Sequence, residues 1–323
     1  STGDPAAAAY ITSFGANLTG SGTLIEPPVA GAAAISWIVP SGTNLATLAP
    51  AFELSPGATC TDQTSGSTHD FSSPVVYTVE SQDESVTIVY TVTATILPVE
   101  STVIWNIAAG GDWDLTSFNW LGQTSGLTRP FFDGANVIFD NTAGGTIASA
   151  AGIEPLTTTV NAASGTYVFD GVLATGSLSK DGGGRLDLGG LAPNTYPGGT
   201  IIDGGTLYLG KILSGGASLD VIDPVGTGTV TLNNGTLFLG RVKVSNDLIV
   251  NGGNIYQQNG WGATWSGPIT LNATTSFDTF YGLNISGDIS GTGGLTKTLN
   301  NTLTLSGTNS YAGPTSVTKG TLK

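Results

Sequence analysis

The 323 residues include one cysteine, one histidine and no methionine. A single Cys60 excludes an intrachain disulfide. A single His69 excludes three-histidine zinc centres and leaves Ser-His-Asp or Cys-His catalysis with one ring to use. That ring lies in the turn-like run Ser67-Thr68-His69-Asp70, where a solvated loop role fits it, and Cys60 reads as a small, partly buried side chain. Charge is scarce too, at 10% of residues, and nine Lys and Arg against 23 acids give a net charge of −14. All nine bases lie at Arg129 or later. Phosphate binding needs clustered bases, so nucleic acid and anionic membrane are excluded as partners. No run reaches the ~18 apolar residues of a membrane helix, so no membrane insertion is expected, and no window has the period of an amphipathic helix. No EF-hand loop occurs, and Gly182-Gly183-Gly184-Arg185-Leu186-Asp187 breaks the calcium-binding nonapeptide with Arg where Gly is needed. No metal or other cofactor is expected.

What is plentiful is glycine, 48 residues, beside a hydrophobic fraction of 39%. That is an all-β composition. Its organising stretch is Gly198 to Gly210, GGTIIDGGTLYLG: two short β runs hinged on Asp203-Gly204-Gly205, which supply the φ > 0 positions of a sharp corner. The motif returns in Gly228 to Gly240 (GTVTLNNGTLFLG) and in Gly313 to Lys323 (GPTSVTKGTLK). The last copy belongs to a longer duplication. Leu178-Ser179-Lys180 is echoed by Leu295-Thr296-Lys297, and Asn194-Thr195-Tyr196 by Asn309-Ser310-Tyr311, at offsets of 117 and 115 residues. Self-similarity of this kind means stacked coils that bury their apolar faces against their neighbours. A tandem hairpin sandwich competes, but β-Gly-Gly-β units without hairpin-length strands favour a right-handed parallel β-helix over residues 101–323. Leu186, Leu188, Ile202, Leu207, Leu209, Leu232, Leu237, Leu239, Leu303, Leu305, Val317 and Leu322 are expected to line its core.

Residues 1–9 read as a flexible tail, and residues 10–98 as alternating strands cut by turns at Pro27-Pro28, Pro40-Ser41-Gly42, Ser55-Pro56-Gly57 and Gln82-Asp83-Glu84. Ile11-Thr12-Ser13-Phe14, Val39-Pro40-Ser41-Gly42-Thr43, Leu54-Ser55-Pro56-Gly57-Ala58-Thr59, Asp70-Phe71-Ser72, Pro74 to Val79 and Tyr90-Thr91-Val92-Thr93 follow in an order that resembles bacterial Ig-like surface domains. The resemblance implies an N-terminal Ig-like β-sandwich. Further on, Trp105-Asn106, Gly111-Asp112-Trp113-Asp114, Phe118-Asn119-Trp120 and Gly134 to Asp140, then Gly291 to Lys297 and Leu303 to Gly313, resemble bacterial autotransporter-associated β-strand repeat proteins. Pro314 stands where that repeat usually carries Gly or Thr. This second resemblance implies a parallel β-helix on an exported surface protein. The start at Ser1, without an initiator Met, is expected to be a mature end left by signal-peptide removal.

Function is therefore expected to be structural: a bacterial cell-surface or extracellular protein, not an enzyme, acting in surface architecture or adhesion. A carbohydrate-binding adhesin and a polysaccharide-active β-helix enzyme are the alternatives. The enzyme would need two carboxylates across a cleft. Asp112 with Asp114, and Asp187 beside Arg185, are the pairs on offer, and coil-capping or surface roles are expected of both. Tyr208 and Phe238 occupy equivalent outward positions, and with Trp261 and Trp265 they are the candidate contacts for a glycan or another surface protein. The alternative for these rings is a stabilising ladder. Thr321, Leu322 and Lys323 are the candidate assembly end, because an open coil edge can pair with another copy into an end-to-end homopolymer.

Overall fold

The computed structural model describes residues 7–15, 22–24, 31–40, 42–140, 144–212, 218–219, 221–258 and 262–323. The expected turn at Pro27-Pro28 and most of the expected tail lie outside them. The chain divides into two compact units, Ser1–Val99 and Glu100–Lys323.

In the first unit, alternation sets the faces. Ile35, Trp37 and Val39 point inward from Gly31–Val39, Tyr77 and Val79 from Val75–Glu80, and Ile88, Tyr90 and Val92 from Thr87–Ile96. These strands lie in a five-stranded sheet ordered Gly22–Leu24, Gly31–Val39, Thr87–Ile96, Val75–Glu80, Thr59–Cys60. A two-stranded sheet, Ile11–Phe14 with Phe52–Leu54, completes the sandwich. Phe14 meets Trp37 edge-on at 5.4 Å, and the Ile11 amide donates to the Tyr90 hydroxyl. The longest pairing, Gly31–Val39 with Thr87–Ile96, is parallel, so the unit is not a simple meander of hairpins.

The second unit is a parallel β-helix with strands stacked in columns. Column one holds eleven strands, from an antiparallel start at Thr102–Trp105, Trp120–Gly122 and Thr128–Arg129 up to Ile289–Ser290. Column two holds ten, from Gly110–Trp113 to Thr315–Val317, and column three holds six, beginning at Val221–Ile222. Parallel strands of this kind stack roughly 4.8 Å apart. In column two the inward row runs in register through Tyr167, Leu186, Leu207, Leu237, Ile255 and Phe277. Nine of the twelve expected core residues are buried, and Leu305 and Leu322 pack against the core while partly covered. Val317 keeps the inward register, opposite Lys297, yet is 47% exposed because it belongs to the last strand of its column. The first coils are filled by rings instead of leucines: Trp105, Trp113, Trp120, Phe131, Phe139 and Phe169 pack with centroids 4.9–6.1 Å apart.

The duplicated segments form the same structure on different columns. In the first, Leu178–Lys180 and Arg185–Leu188 stand in columns one and two, as do Thr200–Ile202 and Thr206–Leu209. In the second, Leu295–Thr298 and Thr315–Val317 stand in column two, and Thr302–Leu305 and Thr321–Leu322 in column three. The second copy is thus advanced by one column. Its internal bonds are the same. Lys180 is fully buried and its ammonium donates to the carbonyls of Asp181, Gly182 and Gly204; Lys297, also fully buried, donates to those of Thr298, Leu299 and Lys319. Each lysine ties its own corner to the corner one coil on. Gly205 and Gly320, at φ of 62° and 77°, let the next coil close over that ammonium, since a Cβ would stand 2.7 and 2.8 Å from it. Tyr196 and Tyr311 each bond a threonine four residues on, Thr200 and Thr315, at 2.6 Å.

A side-chain ladder climbs the corner between columns one and two. Asn272 donates to Asn251, Asn251 to Asn233 and Asn233 to Asp203, each at 2.7 Å. Asn251→Ala removes one donor and one acceptor from the middle of this exposed ladder. The expected cost is about 1 kcal/mol, read as a fall of about 2–4 °C in the melting temperature of the solenoid.

Candidate functional site

The outer face of column two carries one continuous row: Val168, Asp187, Tyr208, Phe238, Tyr256, Asp278 and Thr298. Three aromatics in successive coils meet with centroids 4.8 and 4.9 Å apart, the first pair edge-on and the second tilted. Arg185 lies over the rings of Tyr208 and Phe238, at 4.5 and 5.2 Å, and forms an ion pair with Asp187. Burial pushes the Asp187 carboxyl up, against the pull of that guanidinium. At the far end Asp278 accepts from Ser276, Thr298 and Asn254. The three aromatics thus form a cross-coil clamp flanked on each side by an acid, Asp187 and Asp278.

The candidate contact residues separate on this geometry. Tyr208 points outward, as its strand parity demands, yet is fully buried, and Phe238 is 8% exposed. For Tyr208 the glycines that close the TLYLG and TLFLG runs account for this. The Tyr208 hydroxyl lies across Gly210 and Gly240, where a Cβ would come within 2.9 and 2.5 Å. Trp265 is not outward at all: Ala263 and Trp265 face the core of column three while Thr264 faces out, and the Trp265 indole donates to the Asn246 carbonyl. Trp261 lies outside the described residues. Thr321 and Leu322 pair in register with Thr302 and Leu303, and Lys323 exchanges backbone bonds with Leu303 and Leu305.

The groups weighed for chemistry are occupied locally. Asp114 accepts from the amides and hydroxyls of Thr116 and Ser117; partial burial opposes its ionisation, but these bonds hold its carboxyl below the usual value. Asp112 sits on an exposed position two residues away. His69 bonds the Ser67 hydroxyl at 2.7 Å, and the Cys60 thiol, raised by burial, points to Asp62. Among the described residues no three His, Cys, Asp or Glu converge as a metal site would need. The solenoid does carry a polar cleft of about 500 Å³ lined by Asn194, Asp223, Thr227, Ser245, Asn246 and Asp247, among others. Asn194 and Asn246 there bond backbone of the neighbouring coils, Asn194 to Leu173 and Pro224, Asn246 to Gly226 and Gly228.

Residues 178–209 and 295–323 match the model of the passenger-associated-transport repeat. The solenoid thus carries two segments of the passenger-associated-transport-repeat kind, in support of the expected resemblance to autotransporter-associated β-repeat surface proteins. Its two matched segments are those whose lysine and tyrosine make the same bonds one column apart, each with a glycine that leaves room for the ammonium. Residues 11–94 match the model "SGBP, N-terminal", which is compatible with an Ig-like domain. The Adhesin BmaC autotransporter of Brucella suis biovar 1 is 28% identical over 226 residues, 65% of this chain and 6% of that protein. The chain thus spans a small fraction of that curated relative's length. A crystal structure of a Bacteroides thetaiotaomicron protein, provisionally assigned as a glycoside hydrolase, is 33% identical over 33% of this chain and 29% of its own. Its TM-score of 0.26 is too low to carry an argument about activity.

Sequence reasoning missed Phe280 and Tyr281, adjacent at the corner between Thr275–Thr279 and Gly282–Ile285 and both exposed. Two aromatics directly after a five-residue alternating strand were the available signal.

Proposed function

We propose that this chain is the adhesive, non-enzymatic part of a bacterial surface passenger, held outside the cell by a coil array that serves as scaffold. The observation that carries this reading is the use to which the repeat is put. Its distinctive Lys, Asn, Tyr and Gly are consumed in holding one coil to the next, which leaves recognition to corners and outward rows. The similarity to an adhesin passenger supports the same reading. Beads coated with the purified chain are expected to adhere to epithelial cell layers above an uncoated control; equal retention of both would overturn the adhesive reading.

The absence of catalysis is tested separately. No release of reducing ends or unsaturated sugars from a polysaccharide panel is expected. Release that is lost in Asp187→Asn or Asp114→Asn would make the chain a carbohydrate-active enzyme.

A further inference from the structure

Among the described residues of the solenoid, every large aromatic but two is buried or half-buried. Phe280 and Tyr281 are the exceptions, 47% and 38% exposed. Their rings meet edge-on at 5.2 Å and 68°, and each keeps part of its surface open to solvent. Exposed apolar side chains on a loose loop would mean little, but this corner is fixed. The Phe280 amide donates to the Gln257 carbonyl at 2.8 Å, and the amides of Tyr281 and Gly282 both donate to the Gln257 side-chain oxygen at 2.9 Å. Gln257 itself is fully buried. From the other side the Asn301 amide donates to the Phe280 carbonyl at 2.6 Å. Four bonds thus fix the backbone of Phe280 to Gly282, from which the two rings project at the surface.

Polar groups surround the rings in register. The pairing of Gln257 with Thr279 sets Gln258 beneath Phe280, and the pairing of Asp278 with Thr298 sets Asn300 above it. Asn301 stands beside them, and Thr264, Asn284 and Thr304 face out from column three. We propose that Phe280 and Tyr281 form a stacking platform for a neutral polysaccharide, with the flanking amides and hydroxyls taking its hydroxyl groups.

The chemistry selects that ligand. A ring face carries partial negative charge, and the C–H bonds on one side of a pyranose present partial positive charge to it. A stable protein interface needs about 800 Å² per partner with an apolar centre, whereas two rings bounded by Asn, Gln and Thr match one or two sugar units. The net charge of −14 opposes a polyanionic chain.

The platform names a ligand class for the adhesive passenger and rests on that reading. Affinity electrophoresis and calorimetry of the full chain with dextran, galactomannan, xylan and arabinogalactan test it, with alginate as the anionic comparator. At least one neutral polymer is expected to retard the chain, and alginate is not. Phe280→Ala and Tyr281→Ala should each weaken binding about tenfold, and Phe280→Leu, which keeps apolar bulk without a π-face, nearly as much. All three should melt with the parent protein, since the side chains are exposed. No retardation by any neutral polymer, equal binding by a double variant carrying both Phe280→Ala and Tyr281→Ala, or preference for alginate would overturn the platform. The bead assay separates the two readings. Adhesion that survives in the double variant sinks the platform alone, and a parent chain that binds polymer without adhering to cells sinks the passenger reading alone.

Discussion

Trp113→Ala is expected to destabilise the solenoid by about 3–5 kcal/mol, read from the guanidinium midpoint of the unfolding transition. Trp113 is fully buried and touches the rings of Trp120, Phe131, Phe139 and Phe169 at 5.3–6.1 Å. Rings this interlocked collapse poorly around a void, so the loss should lie at the upper end of the range. The conservative change separates packing from polarity. The Trp113 indole N–H is buried and finds no acceptor among the described residues. Trp113→Phe therefore gives up some volume but also removes an unsatisfied donor, and should cost less than about 1.5 kcal/mol. Equal losses in both variants would show that the N–H, not the ring, holds the site.

Lys180→Met is the second large loss expected, about 3 kcal/mol at roughly 1 kcal/mol for each of the three carbonyls it strands. The substitution keeps the apolar stem and removes the donor. Its pH dependence identifies the cause. Burial pushes the Lys180 ammonium from the ordinary 10.5 down to about 8, and shifts Lys297 in the same direction. The unfolded chain then holds the proton over a range where the folded chain has released it, so parental stability should rise with pH from about 8 to 10.5. Urea titrations across that window are expected to show a smaller slope in Lys180→Met and a further reduction when Lys297 is replaced as well. A parent protein whose stability is flat over the window would show that the carbonyls hold the ammonium charged.

Much of this fold was legible because short apolar alternations between glycines permit few arrangements. Thr206–Leu209 and Thr236–Leu239 lie where GGTLYLG and NGTLFLG placed them, with the leucines inward. The outward parity of Tyr208 and Phe238 was legible as well. Their burial was not, because Tyr208 lies across Gly210 and Gly240 and Phe238 is covered by Tyr208, Tyr256 and Arg185 of neighbouring coils. Trp265 was misread because its parity is set by where the strand Ala263–Trp265 begins, which periodicity alone does not reveal. The lysines were visible in Leu178-Ser179-Lys180 and Leu295-Thr296-Lys297 as an echo without a role. A charged residue at an inward position makes sense only when carbonyls from two coils converge on it, and those come from residues more than twenty positions apart.

The one-column offset between the two repeats also bears on how such a chain can lengthen. Because lysine and tyrosine close the same bonds wherever the unit starts, with a glycine leaving room for the ammonium, a duplicated segment need not contain a whole number of turns to be accepted by the stack. Insertion by unequal recombination would then move each outward side chain of the new copy to an adjacent side of the rod. A lineage could in this way spread one binding feature around the circumference without altering a single residue of the unit that carries it.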